Sequence, residues 1–261
     1  MTPGVAYGPH PDQFLELTLP AGEDRAPVVV VLHGGFWRAA YGIDLARPLA
    51  ADLAAAGFAA VAVEYRRVGA GGGWPATVED VAAALDALPG LDEVARLDLD
   101  DVTVVGHSAG GHLAAWAAGR ALLPAGAPGA GPRVRVAAAV LQAGVLDLAR
   151  ADEQGLGRGA VREFLGGPPA PDVLALASPV ALLPTGAAVL CVHGTGDDVV
   201  PPEQSERYAQ AAGRAGDAVE VRLVPGDHMA MIDPAGPAWA LVREWLRTRR
   251  GRRGAGTTLE P

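Results

Sequence analysis

The sequence predicts an α/β fold in which helices flank a mostly parallel central sheet. The first observation is that strand-like apolar runs alternate with segments of helical spacing along the 261 residues. The second is the character of residues 28–32, an uninterrupted apolar run that is typical of a strand covered on both faces. The third is a hydrophobic content of 50%, which is enough to bury a large core.

The periodicity of the apolar residues places the strands and helices in order. Residues 14–19 alternate between apolar and polar side chains, as in a half-exposed strand, whereas most later strands are continuous apolar runs. Strands are expected at residues 14–19, 28–32, 58–64, 102–105, 134–141, 187–192 and 219–224. Helices are expected at residues 44–56, 75–88, 109–123, 203–215 and 237–247.

We expect a single domain over residues 14–247. Residues 1–13 contain proline and glycine and are interpreted as an irregular N-terminal arm. Residues 145–178 are rich in glycine and proline and have no long strand pattern, so they are predicted to form short helices that act as a small lid over the strand ends. Residues 248–261 begin with a basic, glycine-containing stretch and are predicted to be a disordered tail.

Composition argues against several classes of partner. The formal net charge of −9 argues against nucleic acid. The sequence has no apolar run of about 18 residues and no basic-then-apolar N-terminus, so neither a membrane span nor a signal peptide is predicted. The single cysteine, Cys191, cannot form an internal disulfide, and a cytoplasmic location is expected. Metal-ligand spacings and phosphate-loop lysines are absent, so no metal or other cofactor is expected.

A strand–turn–helix around Ser108 is the most informative stretch. The β-branched residues 102–105 predict a buried strand, and Gly106-His107-Ser108-Ala109-Gly110 follows at once. A serine on such a tight turn needs nearly atomless neighbours two residues before and after it, which Gly106 and Gly110 provide. Ser108 is therefore the candidate nucleophile, and the backbone N–H of Ala109 faces whatever it attacks.

A serine nucleophile needs a base and a carboxylate that orients the base. His228 is the candidate base, because it lies in the loop after the last predicted strand, where an imidazole can reach across the rim of the sheet. Asp197 is the favoured carboxylate because it comes first after the turn that ends the preceding strand. Asp198 and, more distantly, Asp147 remain alternatives.

Acyl transfer also needs hydrogen-bond donors for the developing oxyanion. Ala109 can supply one N–H, and residues 34–36 can supply another because glycine lets the backbone approach a substrate closely. His33 is expected to hold that loop in place. Candidate substrate contacts on the same rim are Trp37, Tyr65, Trp74 and Met229.

Ser108, Asp197 and His228 in this chain order, with His33-Gly34-Gly35 upstream, resemble the α/β-hydrolase superfamily. The resemblance extends over residues 14 to 247. It implies an eight-stranded, mostly parallel sheet and a serine that is acylated and then hydrolysed in two steps.

Two motifs narrow the resemblance to one branch. The pairing of residues 33–37 (HGGFW) with residues 106–113 (GHSAGGHL) is similar to the kynurenine-formamidase (arylformamidase) and small-carboxylesterase branch. Hormone-sensitive-lipase-like esterases usually have a third glycine where this chain has Phe36 and an acidic residue where it has His107. The resemblance implies an oxyanion hole built from the backbone of Ala109 and of Gly35 or Phe36.

The leading functional prediction is a serine hydrolase that cleaves small carboxylic esters through an acyl-enzyme. An arylformamidase-type amidase, a biosynthetic thioesterase and a non-catalytic ligand-binding relative are the alternatives. The same residues serve both ester and amide chemistry, so the lid and the loop around Trp74 are expected to decide the leaving group. The partner is a small-molecule ester or amide, and a homodimer is among the oligomeric states left open.

Overall fold

An eight-stranded sheet forms the centre of the computed structural model, which describes residues 4–22 and 24–256 without the side chains of residues 252–256. The strands are β1 (Val5–Ala6), β2 (Phe14–Thr18), β3 (Ala26–Leu32), β4 (Ala59–Val63), β5 (Leu97–His107), β6 (Val136–Gln142), β7 (Ala188–Gly194) and β8 (Val219–Val224). Their order across the sheet is β1-β2-β4-β3-β5-β6-β7-β8. The pairs that involve β2 are antiparallel and all other pairs are parallel, which confirms the predicted fold class.

Helices pack on both faces of this sheet. They are α1 (Arg47–Ala55), α2 (Ala76–Ala87), α3 (Ala109–Gly119), α4 (Leu148–Glu153), α5 (Ala160–Leu165), α6 (Pro171–Ala177), α7 (Glu203–Ala215) and α8 (Pro237–Gly256). Val28 and Val30 of β3 belong to one hydrophobic core with α2 and α3, whereas Val29 and Val31 belong to a second core with α1 and α8. Because both faces are buried, the central strands β3 and β4 are apolar at every position.

The N-terminal arm contains the eighth strand, which the sequence does not predict. Val5–Ala6 pairs with Phe14 and Leu15 at the edge of the sheet. Two residues are too few to produce a periodic pattern, so this pairing is set by the neighbouring strand rather than by local sequence. Residues 1–3 of the predicted arm lie outside the described residues.

The last helix is longer than predicted. We expected disorder from residue 248, but α8 continues to Gly256. Arg249 within this extension donates a hydrogen bond to Asp101 near the start of the buried part of β5. Arginine has good helix propensity and a long stem that can reach across the surface, so a basic stretch is also compatible with a helix. Residues 257–261 lie outside the described residues.

The segment at residues 145–178, named here the lid segment, consists of short helices as predicted. It contains α4, α5, α6 and the 3-10 helix Leu156–Arg158. Phe164 is its largest fully buried side chain and packs into the core that contains α3. Within the described parts of the chain, no helix is both long enough and apolar enough to cross a bilayer.

Candidate active site

Ser108 lies in a strained turn between β5 and α3. Its φ of 55° and ψ of −117° place it in a region that residues other than glycine rarely adopt. A Cβ on Gly106 would lie 2.0 Å from the Gly110 carbonyl oxygen, and a Cβ on Gly110 would lie 2.1 Å from that of Leu32. The backbone packing therefore requires glycine at both positions, as a nucleophile elbow does.

The elbow holds Ser108 by its backbone at the carboxyl edge of the sheet. The Ser108 N–H donates to the Gln142 carbonyl at 2.8 Å, and the Ser108 carbonyl accepts from the His112 N–H at 3.1 Å. Ala109 is the first residue of α3, so its N–H belongs to the positive end of the helix dipole. The serine hydroxyl is thus next to a backbone region suited to stabilise negative charge.

Asp197 and His228 form a short hydrogen bond on the same edge. His228 Nδ1 lies 2.7 Å from Asp197 Oδ2. The other carboxylate oxygen, Oδ1, accepts from the N–H groups of Val199 and Val200, each at 2.9 Å. Because a carboxylate only accepts, Nδ1 of His228 carries the ring proton and Nε2 is left as an acceptor.

The other candidate carboxylates have different positions. Asp198 is exposed, although it adjoins the favoured residue. Asp147 caps α4 and lies 3.1 Å from the Arg207 guanidinium. Asp227 accepts the Ala230 N–H at 2.9 Å and so caps its own loop. The geometry therefore favours Asp197 as the partner of the imidazole.

The environment of Asp197 keeps this carboxylate ionised. Burial alone would raise its pKa, but hydrogen bonds from His193, His228 and the Val200 N–H outweigh that effect and hold the pKa well below its ordinary value. His193 Nε2 lies 3.3 Å from Asp197 Oδ2. An ionised carboxylate is available to stabilise a positive charge on His228.

His107 joins the elbow to the loop of the candidate base. Its Nε2–H donates to the His228 carbonyl at 2.9 Å, and the two rings pack with centroids 4.5 Å apart. Burial, followed by the nearby His228, lowers the pKa of His107 to about 3. The ring is therefore neutral at ordinary pH and fixes the His228 loop through a single hydrogen bond.

The stability of the fold should depend on pH through buried neutral histidines. His107 has a pKa lowered to about 3 from 6.5, so below pH 6.5 the unfolded chain binds a proton that the native ring refuses. This contribution to the free energy of unfolding is complete above pH 6.5 and is lost as pH falls toward 3, by up to about 1.4 kcal/mol per pH unit. Urea unfolding of the wild type and of His107→Phe gives the free energy of unfolding at each pH in this range. That free energy should change less steeply with pH in the variant. Equal slopes would contradict the assignment.

The loop that follows β3 places its backbone against Ser108. A Cβ on Gly34 would lie 3.1 Å from Ser108 Cβ. Gly35, Phe36 and Trp37 follow with φ values of 113°, 52° and 56°, so the loop adopts the left-handed region at consecutive positions. The backbone of the predicted oxyanion donors therefore lies beside the elbow. We name residues 34–38 the oxyanion loop.

A buried polar cluster supports this loop from below. His33 Nε2 lies 2.9 Å from Glu64 Oε1, and His33 Nδ1 lies 2.8 Å from the Gly34 carbonyl. The Tyr65 hydroxyl donates to the His33 carbonyl at 2.7 Å, and its ring stacks on the imidazole at 4.3 Å. Tyr65 is fully buried, so the prediction that it contacts substrate does not fit its position. It supports the loop together with His33.

The remaining predicted substrate contacts fall into two groups. Trp37 is 1% exposed and stacks on Phe164 of α5 at 4.6 Å, so it packs the loop rather than presenting a surface to a ligand. Trp74 is partly buried, and its backbone N–H donates to the Phe164 carbonyl at 2.6 Å. Met229 is 51% exposed next to His228. Trp74 and Met229 stay as predictions for substrate contact.

Two buried histidines near the site were not singled out from the sequence. His193 bonds to Asp197, as described above, and His112 bonds to Trp37 and to the lid segment. For His112 the available signal was a polar ring on a helix that is otherwise apolar, since α3 is buried along its whole length. Such a residue must find partners, but the sequence does not say which.

A cavity of about 770 Å³ lies away from the elbow, at the opposite edge of the sheet, and is lined by residues such as Asp100, Arg135 and Ala188. Ser108 is only 2% exposed, so access to it is narrow. Within the described residues, no group of three or more His, Cys, Asp and Glu side chains is arranged to hold a metal ion.

Comparisons with known proteins agree with this architecture. A model of the BD-FAE family matches residues 15–211. Esterase LipQ of Mycobacterium tuberculosis is 32% identical over 218 residues, which is 79% of this chain and 50% of LipQ. The chain spans about half the length of the curated relatives it matches.

Solved structures extend the comparison over nearly the whole chain. The propionate-bound thermophilic esterase Est2 of Thermogutta terrifontis has a TM-score of 0.76 and 26% identity, covering 97% of this chain and 94% of Est2. A truncated carbohydrate esterase from gut microbiota has a TM-score of 0.80, with 94% of each chain covered. At 22% identity, that second likeness shows the fold alone.

Proposed function

The chain belongs to the BD-FAE family, in the carboxylesterase branch of the α/β-hydrolases, and on that premise we propose that it is a serine esterase acting on small carboxylic esters. The observation that carries the proposal is the 2.7 Å bond between His228 and Asp197. It lies on the same edge of the sheet as the strained elbow of Ser108. A base with a fixed tautomer next to a nucleophile elbow is the arrangement that acyl transfer needs.

The first half of the reaction forms an acyl-enzyme. His228 Nε2 accepts the Ser108 hydroxyl proton while Oγ attacks the ester carbonyl carbon. The resulting oxyanion accepts hydrogen bonds from the N–H of Ala109 and from the oxyanion loop. The imidazolium, held by ionised Asp197, then gives its proton to the leaving alkoxide, and the carbon–oxygen bond of the ester breaks.

The second half returns the free enzyme. His228 accepts a proton from a water molecule, and the resulting hydroxide equivalent attacks the acyl carbonyl carbon. The same N–H groups stabilise the second oxyanion. Breaking the bond to Oγ releases the carboxylic acid, and the imidazolium returns the proton to Ser108.

The position of the lid segment supports a preference for short acyl groups. Phe36 of the oxyanion loop packs against Gly157, since a Cβ added to Gly157 would lie 2.5 Å from the phenyl ring. Arg38 bonds to both carboxylate oxygens of Glu163, at 2.7 and 3.0 Å, and to the Gly157 carbonyl at 2.8 Å. These contacts fasten the lid segment to the oxyanion loop, which begins beside Ser108 at Gly34. The related Est2 is described with bound propionate, a short carboxylate.

A substrate panel tests the proposal against its alternatives. We expect p-nitrophenyl acetate to be cleaved with kcat/KM in the ordinary enzymatic range of about 10⁴–10⁸ M⁻¹s⁻¹, and p-nitrophenyl octanoate to be cleaved more slowly. N-formylkynurenine and a short acyl thioester are measured in parallel, because the same residues serve amides and thioesters. Much faster turnover of either one would replace the ester assignment.

A fluorophosphonate separates catalysis from simple binding. A working serine hydrolase is labelled at Ser108, and mass spectrometry of the labelled peptide identifies the residue. A chain that is neither labelled nor able to cleave any substrate in the panel would be a non-catalytic relative, and the proposal would fail.

A further inference from the structure

A buried chain of hydrogen bonds joins three segments around Ser108. The Trp37 indole Nε1–H of the oxyanion loop donates to His112 Nδ1 at 3.2 Å. His112 Nε2–H donates to the carbonyl of Ala177, the last residue of α6, at 2.9 Å. His112 also lies in the first turn of α3, where its backbone N–H bonds to the Ser108 carbonyl. The nucleophile helix, the oxyanion loop and the lid segment therefore meet at one imidazole.

The partners of His112 fix its tautomer and its orientation. An indole N–H only donates, so Nδ1 must accept, and a carbonyl only accepts, so Nε2 must carry the proton. The ring is fully buried, and burial lowers the pKa of His112 to about 4. Trp37 and Phe164 contact the ring edge-to-face at 5.2 and 5.3 Å. A flip of the ring would lose both hydrogen bonds.

At the Trp37 end of this series of hydrogen bonds, the backbone is strained. Phe36 and Trp37 both have positive φ, and such residues persist only where their surroundings hold them. The Trp37 side chain is anchored by its bond to His112 and by its stack on Phe164. Since Trp37 directly follows Phe36, movement of the indole would also move the predicted oxyanion donors.

We propose that His112 is a positioning residue for the reaction described above. By anchoring Trp37, His112 holds the N–H groups of the oxyanion loop against Ser108. It touches neither the substrate nor the reacting atoms. The inference rests on the proposed function for its catalytic consequence, but the anchoring itself is a property of the fold. Its two hydrogen bonds can be removed separately, which makes the role testable.

Three substitutions at His112 separate the two bonds. His112→Asn keeps an acceptor near the Nδ1 position and loses the donor to Ala177, whereas His112→Gln can keep that donor and loses the acceptor for Trp37. His112→Phe loses both and keeps a ring. We expect kcat to fall about 10²-fold in the Gln and Phe variants, as for a misplaced catalytic group, with KM little changed. The Asn variant should stay within a few-fold of the wild type.

Trp116→Phe is the matched control. The Trp116 indole also lies on α3 and donates to the end of α6, at the Leu176 carbonyl, 2.9 Å away. It lies on the same helix as His112 and bonds to the same helix of the lid segment, but among the described residues no hydrogen bond or ring contact joins it to the oxyanion loop. Its loss should lower the free energy of unfolding and leave kcat within a few-fold. A fall in kcat equal to that of His112→Phe would assign the effect to a loosened lid segment and overturn the proposal.

A readout independent of activity tests the anchoring directly. Hydrogen exchange of the Trp37 indole N–H, followed by ¹⁵N NMR, should be slow in the wild type and in His112→Asn and faster in His112→Phe. Unchanged exchange in the Phe variant would overturn the anchoring.

Trp37→Phe removes the hydrogen-bond donor to His112 and should lower kcat as His112→Gln does. Normal activity in this variant would also overturn the proposal. A wild type that cleaves no ester refutes the proposed function, whereas the exchange result still decides the anchoring.

Discussion

Replacing Ser108 with alanine is expected to lower kcat for ester hydrolysis by about 10⁶-fold, because the remaining oxyanion donors and binding contacts cannot replace the nucleophile. Alanine keeps the Cβ that already fits the strained turn, so the elbow and its backbone bonds are retained. The measurement is kcat with p-nitrophenyl acetate, together with the mass shift from a fluorophosphonate. The label should be absent from the variant.

Ser178→Ala provides a control with the same chemical change. Ser178 is also buried, and its hydroxyl accepts the Leu148 N–H at 3.1 Å. Losing that bond should reduce stability modestly while activity stays within a few-fold of the wild type. If Ser108→Ala retained more than a small fraction of wild-type kcat, another residue would have to be the nucleophile.

Asp197→Asn should lower kcat by about 10⁴-fold by selecting the wrong tautomer of the base. The N–H groups of Val199 and Val200 bond to Oδ1, so the amide oxygen of an asparagine is held in that place and its NH₂ group faces His228. An NH₂ group donates, so His228 Nδ1 must then accept and Nε2 must carry the proton. A protonated Nε2 cannot take the proton of Ser108.

Asp198→Asn is the neighbouring control, since that side chain is exposed. It should leave kcat within a few-fold of the wild type, as surface substitutions usually do. Near-normal activity in the Asp197 variant with a large loss in the Asp198 variant would transfer the role to Asp198. Thermal unfolding of both proteins separates loss of catalysis from loss of fold.

The sequence could predict the parts of the site that depend on local geometry. The turn around Ser108 needs glycine at fixed positions, and that requirement is visible in any strand–turn–helix. Asp197 and His228 come directly after strands, and parallel strands bring their carboxyl ends to one edge of a sheet. Which aspartate bonds to the imidazole depends on the shape of one turn, so the sequence only ranked the alternatives.

The sequence could not predict which rim residues are covered. Trp37 and Tyr65 both follow strands and are large and aromatic, which suits a ligand pocket equally well. Their burial comes from contacts distant in sequence, with Phe164 for Trp37 and with His33 for Tyr65. His112 was missed for the same reason, because its partners lie on two other segments.

The local sequence also could not predict that β1 and the end of α8 are ordered. The strand Val5–Ala6 exists because β2 offers it an edge, and the end of α8 includes a side chain that bonds to Asp101. In both cases the partner, rather than the segment itself, decides between order and disorder.

The distribution of the site over β5, β7 and β8 links activity to the order in which the chain leaves the ribosome. Ser108 emerges early and can occupy its elbow once β3 and β6 flank β5. Asp197 is synthesised later, and His228 follows β8, the strand that pairs with β7 in the folded chain. In the proposed mechanism, a nascent or prematurely terminated chain that ends before this last loop holds the candidate nucleophile without the candidate base. We therefore expect ester hydrolysis only from chains that have been synthesised through the loop of His228.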